Sequence, residues 1–488
     1  MTESRSSPTE GNIITPANSN DSSNKHHYEM AEEHETTAVF VFTAKEGKAV
    51  KRKIDFILLP MLCACYIFSF LDKTLLNYAS IFGIKEALGL EGSDYSWLGS
   101  IFYIGYMIGS MVWAKLVQRW PGHAGKFIAG AVCAWSIIVL LTVKCTNFAG
   151  IATIRFFLGL CESIIGPVFV IITSNWWTRP EQAFRTAFWL SGTPIGNFFG
   201  GILSYALGLI HGSIATWKIF FLFFGSLSLA FSFVLMYLMP DNQSNARWLD
   251  ERQKTIAIER VRENQTVTKD SEWKWHQFWE ALRDPQTVFF FVTAMGNTMP
   301  STFASQFSSQ IVKGFGFTAI QTTLISTCPA AVIQLLTFLV FSFHSTIDWG
   351  FPSAHTTDNK YSRPISRILL NIHVSARYEP FGGLMASNYA GNTKKSTASG
   401  IIFAGWAAGL IAGPQFFLER EAPTYDLAFK MLMGCYALMV VLPILQLIWY
   451  KYENARRDKL CDESVANTRP EFTDETDFEK WRTFRYTM

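Results

Sequence analysis

Charged residues are scarce in this chain of 488 residues. Asp, Glu, Lys and Arg together make up 17% of it, whereas an ordinary soluble domain has about 25%. The few charges collect in short runs between long apolar stretches, and 49% of the residues are hydrophobic. This distribution is typical of a protein that crosses a lipid bilayer several times. The net charge of +3 is too small to indicate a nucleic-acid partner, so none is predicted.

The sequence also lacks the motifs of enzyme chemistry. It contains no HExxH, no GxxxxGK[ST], no GxSxG and no paired CxxC. Its eight cysteines are scattered, mostly inside apolar stretches, with no spacing typical of a disulfide framework or a zinc site. We therefore predict that the protein is not an enzyme and that it uses no metal and no cofactor.

Ten apolar stretches are near the roughly 20 residues that cross a bilayer as a helix. Six precede a polar linker at 241–286, and four follow it. Residues 1–47 are too polar to bury much surface and are predicted to be a disordered tail, and residues 451–488 form a second tail. The approximate spans are 54–80, 95–116, 127–143, 149–173, 185–209, 217–239, 287–312, 319–343, 398–418 and 428–450.

The distribution of Lys and Arg in the loops predicts the orientation. Lys51, Arg119 and Arg185 stand in loops that fall on one side if the spans alternate, and the linker and both tails fall on that same side. Short cytoplasmic loops carry the excess of Lys and Arg, so both termini are predicted to be cytoplasmic. Trp176 and Trp177 precede Arg179 between the fourth and fifth spans, and this position is typical of an interfacial anchor.

Residues 344–379 do not fit the pattern of spans. This segment reads HSTIDWGFPSAHTTDNKYSRPISRILLNIHVSARYE, and its apolar runs are far shorter than a span. One interpretation is a long cytoplasmic loop in a protein with ten spans. The other is that two helices have been lost through a frameshift, a retained intron or a wrong gene model. Losing a pair of helices preserves the orientation of the last two spans.

Glycines recur every fourth residue on two spans. Gly105 and Gly109 lie on the second span, and Gly192, Gly196 and Gly200 lie on the fifth. Small residues at this spacing allow helix backbones to approach closely in a membrane. We predict that these glycines serve helix packing.

Seven stretches of sequence carry a resemblance to a known family. They are FLDKTLLNYASIFGI (70–84), DYSWLGSIFYIGYMIGS (94–110), VQRWPGHAGKF (117–127), RFFLGLCESIIGPVFV (155–170), RTAFWLSGTPIGNFFGGILSYALG (185–208), WKIFFLFFGSLS (217–228) and SNYAGNTKKSTASGIIFAGWAAGLIAGPQFF (387–417). Together they resemble the fungal allantoate permease family, the anion:cation symporter branch of the major facilitator superfamily. The resemblance covers about 48–343 and 380–460.

The resemblance implies an all-α integral membrane protein with a two-bundle fold. The first bundle, 48–240, has six helices. The second, 287–450, has about four, because the segment 344–379 stands where such proteins have their ninth and tenth helices. Transporters of this layout place their substrate site between the two bundles.

The fourth span carries two ionisable residues on one face. Arg155 and Glu162 are seven residues apart, which is two helical turns and about 10 Å. A charge inside a membrane is costly unless it faces water or a partner, so the pair indicates a polar cavity. The resemblance implies that Arg155 binds an anionic substrate and that Glu162 carries a coupled proton. Alternatively, the two charges neutralise each other and only stabilise the bundle.

The first and seventh spans contribute further candidates. Asp72 and Lys73 are adjacent, so they point about 100° apart and cannot face a cavity equally. The resemblance implies that Lys73 assists substrate binding, whereas a helix ending near Asp72 would let Lys73 extend to the interface. Asp72 is a second candidate for proton coupling. Asn297 and Gln306 would hydrogen-bond either the substrate or a neighbouring helix.

The sequence thus predicts a secondary transporter, expected to be a monomer in the plasma membrane, that imports a small organic anion together with protons. A ureide, a vitamin or an amino-acid derivative would each fit this description. Because no nucleotide site is present, an ion gradient is the expected energy source. The alternative is a membrane sensor that does not transport, or a carrier that has lost function with its two helices.

Overall fold

The computed structural model describes residues 42–210, 212–262, 273–346, 385, 387–422, 425–460 and 475–487. Within these residues the regular structure is helical throughout, and the predicted all-α class is confirmed. Each of the ten predicted stretches is helical over most of its length. Residues 1–41 of the predicted tail 1–47 and residues 347–379 of the anomalous segment 344–379 lie outside the described residues.

The first half of the chain forms nine α-helices among the described residues. Helix α1 begins within the predicted first tail, and the fourth and fifth spans are each divided into two helices. The helices are α1 (Ala44–Ile81), α2 (Ile84–Leu88), α3 (Asp94–Arg119), α4 (Ala124–Leu141), α5 (Phe148–Glu162), α6 (Ile165–Trp176), α7 (Arg179–Leu190), α8 (Gly192–Gly208) and α9 (Thr216–Leu238).

The linker and the second half contribute seven further α-helices in the described part of the chain. They are α10 (Glu251–Arg260), α11 (Trp275–Arg283), α12 (Pro285–Thr298), α13 (Ser308–Gly314), α14 (Ala319–Thr346), α15 (Asn392–Ala412) and α16 (Asp426–Leu460). A π-helix at Phe303–Phe307 stands between α12 and α13. The predicted second tail is not a simple extension, because α16 continues to Leu460 and residues 475–487 pack back onto the second half.

Eight segments in the described part of the chain are long and apolar enough to cross a bilayer. The other two predicted spans, 185–209 and 287–312, are helical but interrupted. The fifth span is divided at Ser191, and the seventh contains the π-helix. Because each interruption shortens the continuous helix, these two spans are recognised by their sequence and position rather than by helix length.

The recurring glycines lie where helix backbones meet. A side chain at Gly105 or Gly109 would collide with the backbone of α5, at Phe156 and Leu160 respectively. The glycines of the fifth span face α1, since a side chain at Gly192 would meet the carbonyl of Cys63 at 2.7 Å. The structure therefore agrees with the packing role predicted for both series.

The linker consists of two parts that are bonded to opposite halves. In the first part, Arg260 of α10 forms an ion pair of 2.8 Å with Glu181 of α7, and Lys53 of α1 donates to Gln253 at 2.9 Å. In the second part, the main-chain N–H of Lys274 donates to Thr393 at the start of α15 at 3.1 Å. We call the part of the molecule around these linker contacts, at Lys53, Glu181 and Thr393, the linker end.

The tryptophans between the fourth and fifth spans differ from the prediction. Trp176 and Trp177 are buried, with 2% and 0% exposure. The indole N–H of Trp177 donates to Asp55 at 2.6 Å, and Trp176 stacks on Trp248 of the linker. The prediction of an interfacial anchor is therefore wrong, because Asp55 and the linker supply partners that sequence position does not reveal.

Candidate functional site

Arg155 and Glu162 are both buried on α5, with exposures of 4% and 0%. The helix starts at an Asn147 side chain, which accepts from the main-chain N–H of Gly150 at 2.9 Å, and it ends at Glu162. Helix α3 packs against it, and Gly159 stands where the α3 backbone at Phe102 crosses. This close crossing places both charged side chains in the interior.

Glu162 pairs with the first span. Its Oε2 atom accepts a hydrogen bond of 2.9 Å from the Ser69 hydroxyl and lies 3.4 Å from the Lys73 ammonium. Lys73 also donates to Ser69 at 3.0 Å. Helix α1 continues to Ile81, so Lys73 lies inside the helix and does not extend to the interface. The aromatic rings of Phe102 and Tyr106 lie 5.9 and 5.3 Å from its ammonium.

Arg155 is a buried cation without a hydrogen-bond partner among the described residues. Its Nη2 atom is inaccessible to solvent and unbonded, and the guanidinium forms no ion pair with Glu162 in this structure. The two charges therefore do not neutralise each other in a salt bridge. A buried charge left in this condition is costly, and an ionisable side chain of this kind within a membrane-spanning helix is a candidate functional group.

The Arg155 side chain faces a small cavity between the two halves. Only about 10 Å³ of it is open to the centre of a water molecule, which is room for about one water. A small organic molecule is larger than this space, so the cavity in this structure would admit one only if the two halves separated. The cavity is lined by Lys73, Leu76, Leu98, Gly99, Phe102, Tyr103, Arg155, Ser305 and Gln306.

Asp72 is 1% exposed, and neither of its carboxylate oxygens has a hydrogen-bond partner in the described structure. Its charged neighbours are Glu162, Arg155 and Lys73. The indole N–H of Trp135 also lies near it but outside hydrogen-bond geometry. Asp72 thus belongs to the same buried group of charges as Glu162, Arg155 and Lys73, although it does not line the cavity.

The seventh span divides its two candidates. Gln306 is buried, lines the cavity and has an unbonded Oε1 atom, while its main-chain carbonyl accepts from Tyr95 at 2.8 Å. Asn297 is half-buried, lies outside the cavity and makes no hydrogen bond to another described residue. Of Asn297 and Gln306, only Gln306 lines the same cavity as Arg155 and Lys73.

Sequence reasoning missed Ser69, Tyr103 and Ser305. Ser69 precedes Lys73 by four residues, so helical periodicity places both on one face and could have identified it. Tyr103 and Ser305 line the cavity from α3 and from the π-helix. No spacing rule would have found these two, because their position depends on how the two halves dock.

A set of hydrogen bonds joins the two halves at the end away from the linker. The Asn77 amide donates to Ser308 at 3.1 Å and accepts from the main-chain N–H of Ser309 at 3.3 Å. Lys313 donates to the carbonyl of Ile81 at 3.1 Å, and Lys85 donates to Gln310 at 2.8 Å. We call these contacts the far gate.

The chain is similar in sequence to known transporters. Residues 62–349 match the family model described as Major Facilitator Superfamily. An uncharacterized transporter of Schizosaccharomyces pombe is 35% identical over 469 residues, covering 92% of this chain and 87% of the relative. Allantoate permease of Saccharomyces cerevisiae is 29% identical over 490 residues, covering 91% of this chain and 87% of the relative.

The fold also resembles a solved transporter. The inward open conformation of the xylose transporter XylE from E. coli aligns with a TM-score of 0.57 at 11% identity, covering 79% of this chain and 96% of that one. The family match ends at residue 349, just inside the anomalous segment 344–379. The alignment with allantoate permease spans 490 positions, whereas 91% of 488 residues is about 444, so about 46 positions are gaps in this chain.

Proposed function

Because the chain belongs to the Major Facilitator Superfamily, and within it to the fungal allantoate permease-like transporters, we propose that it couples proton entry to uptake of a small organic anion. It is a multi-pass membrane carrier and not an enzyme. The plasma membrane is the proposed location, with both termini in the cytoplasm. A carboxylate such as a ureide is the proposed substrate, and allantoate is the first compound to test.

The observation that carries this proposal is the unbonded guanidinium of Arg155. Its neighbours in the cavity are the cation Lys73 and the neutral side chains of Tyr103, Ser305 and Gln306. A site with two cations at its surface attracts a carboxylate, and Arg can bind both of its oxygens at once. Glu162 and Asp72 stand behind the cavity rather than in it, which leaves the anion position clear of negative side chains.

The Ser69, Lys73 and Glu162 cluster supports the proton part of the proposal. If Lys73 turns toward a bound anion, Glu162 loses its cation and then binds a proton more readily. Proton binding and anion binding would favour each other through this shared partner. Asp72, adjacent to Lys73, is the second proposed proton carrier.

The proposal predicts a specific defect in an Arg155→Ala variant. Purified protein in proteoliposomes with an inward proton gradient should accumulate radiolabelled allantoate or another carboxylate from a panel. Arg155→Ala should abolish uptake, and Arg155→Lys should weaken it at least about tenfold, because Lys cannot bind a carboxylate in the bidentate manner of Arg.

A thermal-shift measurement with the same compounds tests binding separately from transport. Lys144→Ala is the matched control, since it removes an exposed cation in a loop turn outside the cavity. Normal uptake by Arg155→Ala would contradict the site assignment. A substrate panel on which only cations or neutral sugars are transported would contradict the proposed substrate class.

The second candidate function is a membrane sensor or a carrier that has lost transport. It is favoured by the end of the family match at residue 349 and by the gaps in the allantoate permease alignment. Translation of the other reading frames across codons 340–382 tests it. Two long apolar runs there would indicate lost helices, and their absence would favour a genuine protein with ten spans.

A further inference from the structure

The C-terminal segment 475–487 is bonded to the second half through its main chain. The Asn388 amide donates to the carbonyl of Thr487 at 3.0 Å and accepts from its N–H at 2.6 Å. Asn454 of α16 makes the same pair of bonds with Tyr486, both of 2.9 Å. Two side-chain amides thus hold two consecutive peptide units, as in grooves that bind a peptide through its backbone.

Tyr486 is the aromatic anchor of this segment. It is 3% exposed, and its ring stacks on Tyr450 with 5.1 Å between centroids and 15° between planes. Trp449 covers another side of the ring at 5.2 Å. The hydroxyl donates to Asp477 at 2.9 Å and accepts from Arg457 at 2.9 Å.

Asp477 connects the segment to a buried cluster of charges. The Lys394 ammonium lies 2.7 Å from Asp477, 2.8 Å from Asp284 and 2.8 Å from Glu280. The side chains of Lys394, Asp284 and Asp477 are each 0% exposed. Breaking such a buried cluster leaves charges without compensation, which is strongly destabilising.

These contacts join four parts of the chain. Glu280 belongs to the linker helix α11, and Asp477 belongs to the C-terminal segment. Lys394 lies in the first turn of α15, and Arg457 lies in the last turn of α16. The transport site needs none of these groups.

We propose that Asn388, Lys394, Tyr450, Asn454 and Arg457 form a peptide-binding groove whose occupant is the chain's own C-terminal segment, which acts as a strap. The docked strap holds α11 to the ends of α15 and α16, so the second part of the linker moves with the second half. The proposal does not depend on the substrate or on coupling to protons.

Thr476 is 0% exposed in the docked strap, so a kinase can reach it only after the strap undocks. A negative charge added at that stage would oppose redocking. The Thr476 hydroxyl donates to Glu280 at 3.0 Å and accepts from the N–H of Glu479 at 3.1 Å. Phosphorylation here would set a dianion beside the carboxylates of Glu280, Asp477 and Glu479. Such repulsion opposes docking, so Thr476 is the proposed control point of the strap.

The test uses the full chain with a protease site inserted between residues 461 and 474. After cleavage in detergent, size-exclusion chromatography and mass spectrometry measure whether the peptide stays with the carrier. The native peptide should remain bound. Asp477→Ala and Thr476→Glu should release it at least about tenfold faster, because the first removes the strap's own ion pair with Lys394 and the second places a repelling carboxylate beside Glu280.

Tyr486→Phe is the milder variant, since it keeps the ring and removes only the hydroxyl hydrogen bonds. It should fold and still release the peptide faster than the native chain. Thr483→Ala, an exposed strap residue without a side-chain bond in the described structure, should behave as the native chain does. Immediate loss of the native peptide, or equal release from all variants, would overturn the proposal.

Discussion

Glu162 has two carboxylate oxygens in different surroundings. Oε2 contacts Ser69 and Lys73, whereas Oε1 is buried with no hydrogen-bond partner among the described residues. An isolated acceptor of this kind can take a proton without displacing another donor. This asymmetry makes Glu162 the better placed of the two proposed proton carriers, since Asp72 has no cation within ion-pair distance in the described structure.

Glu162→Gln tests that role directly. The amide keeps the shape of the side chain and cannot exchange protons, so accumulation of substrate driven by a proton gradient should fall at least about tenfold. Exchange of internal for external substrate, which needs no net proton movement, should persist. Both are measured in proteoliposomes with the radiolabelled anion.

Asn297→Ala is a suitable control for this experiment, because Asn297 lies on the second half outside the cavity. It should leave both accumulation and exchange close to those of the native chain. Equal loss of the two activities in Glu162→Gln would instead show that Glu162 is needed for binding or folding.

Glu181 offers a prediction about pH at the linker end. Burial acts to raise its pKa, but the positive charges of Arg260 and Lys51 outweigh burial and hold that pKa below its usual value. The ion pairs therefore stabilise the protein above the unfolded-state pKa, and this contribution is lost as pH falls through the folded-state value. Glu181→Gln should lower the melting temperature by a few degrees at pH 7, and the difference should shrink toward pH 4.

The residue pattern predicted the charged face of α5 but not its pairing. A spacing of seven put Arg155 and Glu162 on one face, as found. Local periodicity could not show that Glu162 pairs with Lys73, 89 residues earlier in the sequence, because that contact depends on the packing of α1 against α5. The buried pairing of Trp177 with Asp55 was missed for the same reason.

At the scale of secondary-structure elements, proline accounts for some of the helix interruptions. Pro167, Pro194 and Pro300 stand at or just after the interruptions of the fourth, fifth and seventh spans. Proline has no N–H to donate to the carbonyl four residues earlier, so the helix is weakened there. However, α1 and α16 continue through Pro60 and Pro443. Sequence alone therefore marks possible breaks, and tertiary packing decides which occur.

The crossing of α3 and α5 gives a prediction at this scale. A side chain at Gly159 would overlap the α3 backbone at Phe102, and backbone cannot move aside as a flexible side chain can. Gly159→Ala should therefore destabilise the protein by about 1–3 kcal/mol. Gly130 of α4 has nothing within 4 Å of the added methyl group, so Gly130→Ala should be neutral or slightly stabilising. Thermal unfolding in detergent compares them, and similar melting temperatures would contradict this account of the crossing.

For the whole molecule, the sequence predicted a first bundle, a linker and a second bundle. The fold class and the family are confirmed. The division of the linker into parts bonded to opposite halves was not predictable, since it depends on ion pairs such as Arg260 with Glu181 and on the contacts of Lys274. Docking of residues 475–487 was missed because the groove that binds this segment is formed by α15, α16 and the residues around Asn388, which are brought together only by tertiary packing.

The far gate and the orientation together predict which side of the membrane reaches the site. Bonds between Asn77 and Ser308, and between Lys313 and Ile81, close the end away from the linker. If the linker end is cytoplasmic, as loop charges predict, separation of the halves should expose Arg155 to the cytoplasm first, because the far gate closes the other end. A cysteine at Ser305, which lines the cavity, should then react with a membrane-impermeant thiol reagent in inside-out vesicles and react slowly in intact cells.

Opening the far gate should reverse that preference. Asn77→Ala removes two hydrogen bonds between the halves at once, so it should shift the population of conformations toward the outward-open state. Labelling of the cysteine at position 305 from outside should rise by about tenfold if the lost bonds contribute about 1.4 kcal/mol. Lys144→Ala, at an exposed turn that does not contact the second half in the described structure, should leave labelling unchanged. Fast labelling of the position-305 cysteine from outside, with Asn77 intact, would mean that the far gate does not seal the cavity. Labelling from neither side would mean that the Arg155 cavity is not on the path of the substrate.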